Sequence, residues 1–181
     1  MMEIVKYGNP ILNQKCRNVI NFKNLQSIVD KMFDSMYEAE GIGLAANQIG
    51  LDMNIFIIDV THTEETDDLH IFINPSIISK HGEDSRFQEG CLSLPGIALD
   101  IKRPSNVILK YQTIDQEWHK NEFTGLLSRA IQHEMDHLNG VFIIDRVSEI
   151  EKIKYQNELN ILEKDSKRKL KQLSNQNNFV L

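Results

Sequence analysis

Residues 133–137, with the sequence His-Glu-Met-Asp-His, carry the side chains of this chain that are best placed to do chemistry. On a helix, His133 and His137 are about one turn apart on the same face, so both imidazoles could bind one metal ion. Glu134 could hold a water molecule beside that ion and accept its proton. The spacing therefore predicts a metal-dependent hydrolase. The alternative is a helix that carries two histidines by chance, because so short a pattern also arises by accident.

The residues around this motif predict a largely buried helix. Thr124 is suited to be its N-cap, and Gly140 is suited to end it. Two adjacent stripes are mostly apolar, one formed by Leu127, Ile131, Glu134 and Leu138 and the other by Leu126, Ala130, His133 and His137. Buried histidines and a buried carboxylate need partners, since an unpaired buried polar group costs about 1–3 kcal/mol. A metal ion is the simplest partner for all of them.

A third protein ligand would complete a catalytic metal site, which usually leaves one position open for water. No histidine follows His137, and the glutamates downstream resemble the first turn of another helix. Cys91, in the segment 88–95 (Gln-Glu-Gly-Cys-Leu-Ser-Leu-Pro), is a better candidate, although it could also be an ordinary buried thiol. Cys16, the other cysteine, lies in a polar stretch without a ligand pattern. Because no signal peptide is evident, we expect no disulfide.

Residues 41–50, Gly-Ile-Gly-Leu-Ala-Ala-Asn-Gln-Ile-Gly, are a third informative stretch. Three glycines among small residues indicate backbone that another group must approach closely. The spacing does not fit a dinucleotide fingerprint, and no Lys-Ser or Lys-Thr pair of a phosphate loop follows. Gln48 offers an amide donor and an acceptor here. The alternative is a flexible connection between a helix and a strand.

Together the three stretches resemble the motifs of the peptide deformylases, which are a G-x-G-x-A-A-x-Q loop, an E-G-C-L-S segment and a Q-H-E-x-x-H-x-x-G helix. Here the motifs occupy residues 41–48, 89–93 and 132–140. The resemblance covers most of the chain to about residue 146, and the C-terminal segment resembles the longer helical tail of the Gram-negative-type members. After Pro95, many members carry a Gln-Arg pair where this chain has Ile97-Ala98. That departure bears on contacts to the substrate beyond its first residue.

The resemblance implies an enzyme that removes the formyl group from the initiator methionine of newly made polypeptides and releases formate. It implies that Cys91, His133 and His137 bind the metal and that Glu134 is the general base. It also implies that the Gln48 amide and the Leu92 backbone N–H stabilise the oxygen that becomes negative. We expect the methionine side chain to enter an apolar slot. The residues expected to line the substrate site are Ile42, Gly43, Gly90, Leu126 and Ala130.

The identity of the metal and the reaction class leave alternatives open. Two imidazoles and one thiolate suit zinc by ligand softness, whereas the resemblance implies iron(II), with zinc, nickel or cobalt able to replace it. A metalloendopeptidase would take its third ligand downstream of the motif, and Cys91 would be dispensable. A non-catalytic binding module with a structural metal would need a fourth ligand, and the motifs contain no further cysteine or histidine for it.

Length and charge indicate a single catalytic domain over residues 1–181, with residues 147–181 as a helical tail. The formal net charge of −6 argues against general nucleic-acid binding. The sequence has no apolar run long enough to span a membrane, and its N-terminus resembles neither a signal peptide nor a transit peptide. We therefore expect a cytoplasmic protein.

The order of elements predicts an α+β fold with antiparallel β-sheets wrapped around the central metal-binding helix. Residues 25–36 keep helical spacing and predict an N-terminal amphipathic helix that stops before Gly41. Strands are expected over residues 54–60, 71–80, 107–112, 118–123 and 141–144, with a bulge or break at Pro75 and a hairpin around residues 115–116. Residues 61–70 predict a polar loop with His62 and His70 in solvent.

The C-terminal tail predicts a helix that begins with a capping box at residues 148–151. Its partial apolar stripe is Ile150, Ile153, Ile161 and Leu162. Its basic cluster is Lys164, Lys167, Arg168, Lys169 and Lys171. Such a cluster is usually only a solvated helix face. Because nascent chains emerge from a negatively charged ribonucleoprotein, the cluster also suggests salt-sensitive docking near the ribosomal exit.

Overall fold

The structure, a computed structural model, describes residues 2–63 and 69–177 of the chain. The helices are α1 (Leu25–Glu38), α2 (Gly125–Leu138), α3 (Glu149–Lys154) and α4 (Gln156–Asn177). The strands are β1 (Gly43–Ala45), β2 (Ile55–Ile58), β3 (His70–Gly90), β4 (Ala98–Gln112) and β5 (Trp118–Phe123). Short 3-10 helices lie at Pro10–Asn13, Ala46–Ile49, Thr61–Thr63 and Ile143–Arg146. This combination confirms the α+β class.

The described strands form one five-stranded antiparallel sheet in the order β1-β2-β3-β4-β5. Strands β3 and β4 form a long hairpin that closes at the pair Gly90↔Ala98, so its turn is residues 91–97. The bulge expected near Pro75 is confirmed, because the register shifts between Ile73 and Ser76. Strand β3 nevertheless continues well past residue 80, where we expected it to end. Residues 81–88 are all exposed and show no alternation, so pairing with β4 determines this part of the strand.

Helix α2 packs in the core against the sheet, as the apolar stripes predict. The buried contacts join its Leu127, Ile131, Met135 and Leu138 to Phe56, Ile58, Phe72, Val107 and Leu109 of the strands. Burial of each such side chain stabilises the fold by about 1.5–3 kcal/mol. A close contact fixes the C-terminal end of α2, since a Cβ atom on Gly140 would lie 2.7 Å from the Asn13 carbonyl carbon. The two motif histidines therefore project from a firmly held element.

Two further local predictions, a strand over residues 141–144 and a solvated His70, are wrong. Residues 143–146 form a 3-10 helix instead of a strand, because the Asp145 side chain accepts a hydrogen bond of 2.9 Å from the Phe142 N–H and closes a turn there. His70 is not solvated: it begins β3, and its ring stacks on that of Phe72 with centroids 5.7 Å apart. Positions two apart on a strand share a face, which places both rings together. His62 is exposed, as expected, and residues 64–68 of the predicted loop lie outside the described part.

The tail is two helices instead of one. Ser148 caps α3 by accepting a hydrogen bond from the Glu151 N–H, which confirms the predicted start, but the helix breaks at Tyr155. The Tyr155 hydroxyl donates to the Ala98 carbonyl at 3.2 Å. The predicted apolar stripe is largely wrong, since Ile150, Ile153 and Ile161 are exposed. The tail instead buries Leu159 and packs Leu162 against a cluster that contains Leu12 and Phe142.

Within the described residues, no helix has both the length and the apolar character needed to cross a membrane.

Candidate metal centre

Cys91, His133 and His137 bring three potential ligand atoms together, all within 4.8 Å of one another. The Cys91 Sγ lies 3.2 Å from the His137 Nε2, which lies 3.2 Å from the His133 Nε2. Helix α2 supplies both histidines from adjacent turns, and the first residue of the β3–β4 turn supplies the cysteine. The residues that the sequence singled out as ligands therefore converge, although they come from distant parts of the chain.

This donor set fits a divalent transition metal. Separations of 3.2 Å suit atoms that share one ion at bond lengths of about 2.0–2.3 Å. Burial alone would raise the pKa of the Cys91 thiol, but the electrostatic effect of His137 and hydrogen bonds with both histidines lower that pKa to about 5. Cys91 is therefore a thiolate near neutral pH, which is the form that binds metals.

Glu134 lies beside the three donors and is buried. Burial raises the pKa of its carboxyl group, against the lowering effect of His133 and His137. A base is most effective when its pKa approaches the working pH. Its Oε2 has no hydrogen-bond partner in the described part of the chain. Its Oε1 faces Gly43, where an added Cβ atom would lie only 2.5 Å away. Glu134 thus has a free acceptor inside the site.

The Gln48 side chain points into the site and is held in one orientation. Its Oε1 accepts a hydrogen bond of 2.8 Å from the Ala45 N–H, and the Nε2 therefore faces Ser93 and Cys91. That Nε2 donates to the Ser93 Oγ at 3.3 Å and lies 3.9 Å from the Cys91 Sγ. Leu92 follows Cys91 directly, within a turn that the Leu94 N–H closes on the Cys91 carbonyl at 2.9 Å. The two proposed oxyanion donors therefore lie on loops that meet at Cys91.

A cavity of about 550 Å³ opens beside these groups, a volume within the range of small-ligand pockets. The five residues expected to line the substrate site all border it: Ile42, Gly43, Gly90, Leu126 and Ala130. Gln48, Cys91, Leu92, His133 and Glu134 border it too, whereas His137 lies behind them. Farther out, the wall contains Phe87, Ile97, Ala98 and Arg129. The cavity thus joins an apolar slot to the candidate metal site.

Sequence reasoning missed Glu89 as a partner of the ligands. Its Oε2 lies 3.0 Å from the His133 Nδ1, which orients the ring so that the Nε2 faces Cys91. The Arg103 guanidinium binds the same carboxylate through two hydrogen bonds of 2.7 and 2.8 Å, and Arg129 adds a third. Burial alone would raise the pKa of Glu89, but Arg103 and His133 lower it to about 2. Glu89 is therefore a buried carboxylate that fixes a proposed ligand.

The other partners of α2 were also missed. Asp136, inside the motif, pairs with Arg103 at 2.9 Å and with Arg146 at 2.8 Å. Asn47 donates a hydrogen bond of 2.6 Å to the His137 carbonyl and so connects residues 41–50, called here the glycine loop, to the helix. Glu89 and Asp136 lie within the recognised motifs, and that was the only available signal. Arg103 lies in a strand, and nothing in its local sequence indicates its distant partners.

Comparisons with known proteins show the family to which this chain is similar. The polypeptide deformylase family model matches residues 1–153. A peptide deformylase from Acidobacterium capsulatum is 45% identical over 150 residues, which cover 82% of this chain and 88% of that protein. A crystal structure of peptide deformylase from Plasmodium falciparum superimposes with a TM-score of 0.85 at 41% identity, covering 92% of this chain and 98% of that one. A crystal structure of peptide deformylase from Thermus thermophilus also superimposes with a TM-score of 0.85, at 31% identity, covering 92% of this chain and 99% of that one.

Proposed function

This chain belongs to the polypeptide deformylase family and removes the N-formyl group from newly made polypeptides, and we propose that Cys91, His133 and His137 hold its catalytic metal ion. The observation that carries this proposal is the convergence of the three donors beside Glu134 at the cavity wall. Within the described residues, the group able to hold a metal includes Cys91 and no residue downstream of His137. A donor group that includes Cys91 and no downstream residue favours a deformylase over a metalloendopeptidase.

In the proposed mechanism Cys91, His133 and His137 would hold the ion, which would supply a Lewis acid for the formyl carbonyl and would lower the pKa of water. Glu134 accepts a proton from the water that adds to the formyl carbon. The Gln48 amide and the Leu92 N–H donate hydrogen bonds to the formyl oxygen as its negative charge grows. Glu134 then returns the proton to the leaving nitrogen as the carbon–nitrogen bond breaks. The products are formate and a free amino terminus.

The experiment that tests these roles measures formate release from a formyl-Met peptide. Glu134→Gln keeps the size of the side chain but removes the base, so kcat should fall about a hundred- to ten-thousand-fold. Bound metal should remain at the wild-type level. A kcat close to that of the wild type would overturn the role of Glu134, and formate release that does not depend on metal would overturn the ligand assignment.

We propose iron(II) as the physiological metal, with zinc, nickel or cobalt able to replace it. Mixed imidazole and thiolate donors accept all of these ions, so availability decides which one is bound. Purification without oxygen, followed by metal analysis and activity measurement, should yield an iron-loaded enzyme whose activity declines in air. An anaerobic preparation that contains full zinc and loses no activity in air would contradict this choice.

We also propose that the chain is one catalytic domain with a helical tail over residues 147–181, working in the cytoplasm, where its substrates are made. Burial of Leu159 against Leu12 and Phe142 supports this, because the tail then shares a hydrophobic cluster with the N-terminal region. Separate unfolding transitions for the tail and the remainder would contradict a single domain.

We propose that the basic cluster on α4 helps the enzyme dock on the ribosome. Three of its five charges are paired at the surface, Lys167 with Glu163, Arg168 with Asp165 and Lys169 with Glu3. Exposed pairs of this kind are weak and leave the charges available. Lys164 and Lys171 form no ion pair with the described residues.

The double variant Lys164→Glu/Lys171→Glu should reduce co-sedimentation with ribosomes at low salt and leave turnover of short peptides unchanged. Equal co-sedimentation of the double variant and the wild type would show that the cluster is only a solvated helix face.

A further inference from the structure

Three successive residues near the N-terminus hold both loops that carry the proposed oxyanion donors. The Val5 N–H donates a hydrogen bond of 2.8 Å to the Gln48 carbonyl. The Lys6 Nζ donates one of 2.7 Å to the Leu92 carbonyl. The Tyr7 N–H donates one of 2.9 Å to the Ser93 carbonyl. Residues 5–7, called here the N-terminal brace, thus contact both the glycine loop and the turn of residues 91–94, called here the cysteine turn.

Lys6 differs from its two neighbours because its side chain, not its backbone, makes the contact. It is half-buried, whereas lysine side chains usually extend into water. An ammonium group bound to a carbonyl oxygen forms a charge-assisted hydrogen bond, which is stronger than a neutral one. The carbonyl that it binds belongs to the middle peptide of the turn between Cys91 and Leu94. Without this bond, the middle peptide of such a turn can adopt more than one orientation.

The contact with this carbonyl anchors the part of the turn that carries one proposed donor and adjoins the other. The Leu92 N–H lies on the preceding peptide of the same residue, and Ser93 follows the anchored carbonyl directly. The Ser93 Oγ in turn accepts the hydrogen bond of 3.3 Å from the Gln48 Nε2. The contacts run from Lys6 through Leu92 and Ser93 to Gln48. Lys6 is therefore connected to both groups without facing the reacting atoms.

Helix α4 supports the brace from its other side. The Ser166 Oγ lies 3.0 Å from the Lys6 carbonyl oxygen and 2.7 Å from the Tyr7 carbonyl oxygen, so its hydroxyl donates to this pair of acceptors. Gly8 packs directly on the helix, because an added Cβ atom would lie 2.6 Å from the Glu163 Cα. With its backbone fixed between α4 and the cysteine turn, the brace can hold the Lys6 ammonium group in place.

We propose that Lys6 is a positioning residue for deformylation, whose ammonium group holds the Leu92 carbonyl and thereby aligns the Leu92 N–H and the Gln48 amide. This inference rests on the proposed roles of Gln48 and Leu92. Misalignment of such donors weakens their hydrogen bonds to the developing oxyanion more than it weakens substrate binding. The side chain contributes to turnover, and its loss should appear in kcat.

The test compares Lys6→Met, Lys6→Arg and Glu3→Gln in the metal-loaded enzyme. In Lys6→Met, kcat for a formyl-Met peptide should fall about ten-fold, because donors that shift by a fraction of an ångström lose part of their effect. The KM and the metal content should stay close to wild type, and the thermal midpoint should fall by only a few degrees, as expected for one lost hydrogen bond. Lys6→Arg keeps a cationic donor and should restore most of kcat. Glu3→Gln removes the surface pair with Lys169 on the same segment and should leave kcat unchanged.

Each other outcome overturns the inference. A wild-type kcat in Lys6→Met would show that the contact does not matter for turnover. An equal loss of kcat in Glu3→Gln, or no recovery of kcat in Lys6→Arg, would indicate general loosening of the N-terminal segment. Loss of metal from Lys6→Met would mean that the lysine supports Cys91 instead. If Lys6→Met does not fold, Lys6→Gln replaces it and must show the same fall in kcat.

Gln48→Leu, measured alongside, separates failure of this inference from failure of the proposed function. It should lower kcat about a hundred- to thousand-fold, as expected for one lost oxyanion donor. If kcat falls in Gln48→Leu but stays at the wild-type value in Lys6→Met, only the role of Lys6 is overturned. A wild-type kcat in Gln48→Leu would overturn the role of Gln48 as an oxyanion donor, on which the role of Lys6 rests.

Discussion

Gly43 and Glu134 are in direct contact, since a Cβ atom built on Gly43 would lie 2.5 Å from the Glu134 Oε1 and 3.1 Å from its carboxyl carbon. The sequence indicates that some group must approach the backbone of the glycine loop closely. In the structure that group is the proposed general base. Any side chain at position 43 would therefore displace this carboxylate from its position beside the proposed ligands.

We expect Gly43→Ala to lower kcat about a hundred-fold or more while metal content stays normal, because the displaced Glu134 can no longer accept the proton efficiently. A double-mutant cycle with Glu134→Gln checks the cause. If Gly43 acts through Glu134, the double variant should be no slower than Glu134→Gln alone. Fully additive losses would mean that Gly43 acts by another route, such as contact with the substrate.

Replacement of any one ligand should strip most of the metal. We expect this for Cys91→Ala, His133→Ala and His137→Ala, since surrounding residues cannot substitute for a missing donor. Elemental analysis of the purified variants measures it. The matched control is Cys16→Ala, because Cys16 is buried in the hydrophobic core and should leave metal content unchanged. A full equivalent of tightly bound metal in Cys91→Ala would contradict the three-ligand assignment.

The buried pairs around Arg103 should be important for stability. Arg103→Met leaves the carboxylates of Glu89 and Asp136 buried without their main partner, which should cost about 3–5 kcal/mol in the free energy of unfolding. Urea unfolding measures this cost. Lys102→Met is the control, because its ammonium group pairs with Asp84 at the surface, and such a pair contributes less than about 1 kcal/mol. Equal effects of the two substitutions would contradict the prediction.

The low pKa of Glu89 predicts a pH dependence of stability. Its pKa is about 2 in the folded protein against an ordinary value of 4.5. A carboxyl group with a depressed pKa stabilises the fold above the unfolded value, and that contribution is lost as pH falls from 4.5 through about 2. In metal-free protein, the free energy of unfolding should therefore fall more steeply with acid for wild type than for Glu89→Gln. Parallel curves would show that Glu89 titrates normally.

The first side chain of the substrate should occupy the slot beside Ala130. Ala130 is buried and borders the cavity with Leu126 and Ile42. Ala130→Phe should fill this space and raise KM for a formyl-Met peptide without loss of metal. A formyl-Ala peptide, whose first side chain is smaller, should be affected less. If both peptides respond equally, or neither does, the methionine side chain binds elsewhere.

Local periodicity explains why part of the fold could be predicted from the sequence. Helices α1 and α2 and the β4–β5 hairpin have clear apolar spacing and suitable end residues, and their positions are confirmed, except that β4 begins at Ala98 instead of residue 107. The second half of β3 has no such pattern, because residues 81–88 are exposed on both faces. The tail helix breaks at Tyr155, whose hydroxyl donates a hydrogen bond to the distant Ala98 carbonyl.

The candidate site was predictable to the extent that it lies within short motifs. The spacing of His133 and His137 indicates a shared ion, and the resemblance adds Cys91, Gln48 and Leu92. Arg103 could not be found in this way, since its partners lie 14 and 33 residues away. Lys6 was missed for the same reason, because 86 residues separate it from Leu92. Both side chains act through tertiary contacts that have no local pattern.

The position of Cys91 at the end of a hairpin also links metal binding to folding. Cys91 and His137 are 46 residues apart, so an ion held by both cross-links the end of the sheet to the central helix. The unfolded chain does not hold these donors together, so the ion would bind the folded state far more tightly. Free metal at about a hundred times its dissociation constant would add about 2.7 kcal/mol to the free energy of unfolding. In a cell that lacks the metal, the protein would lose resistance to proteolysis together with its catalytic activity.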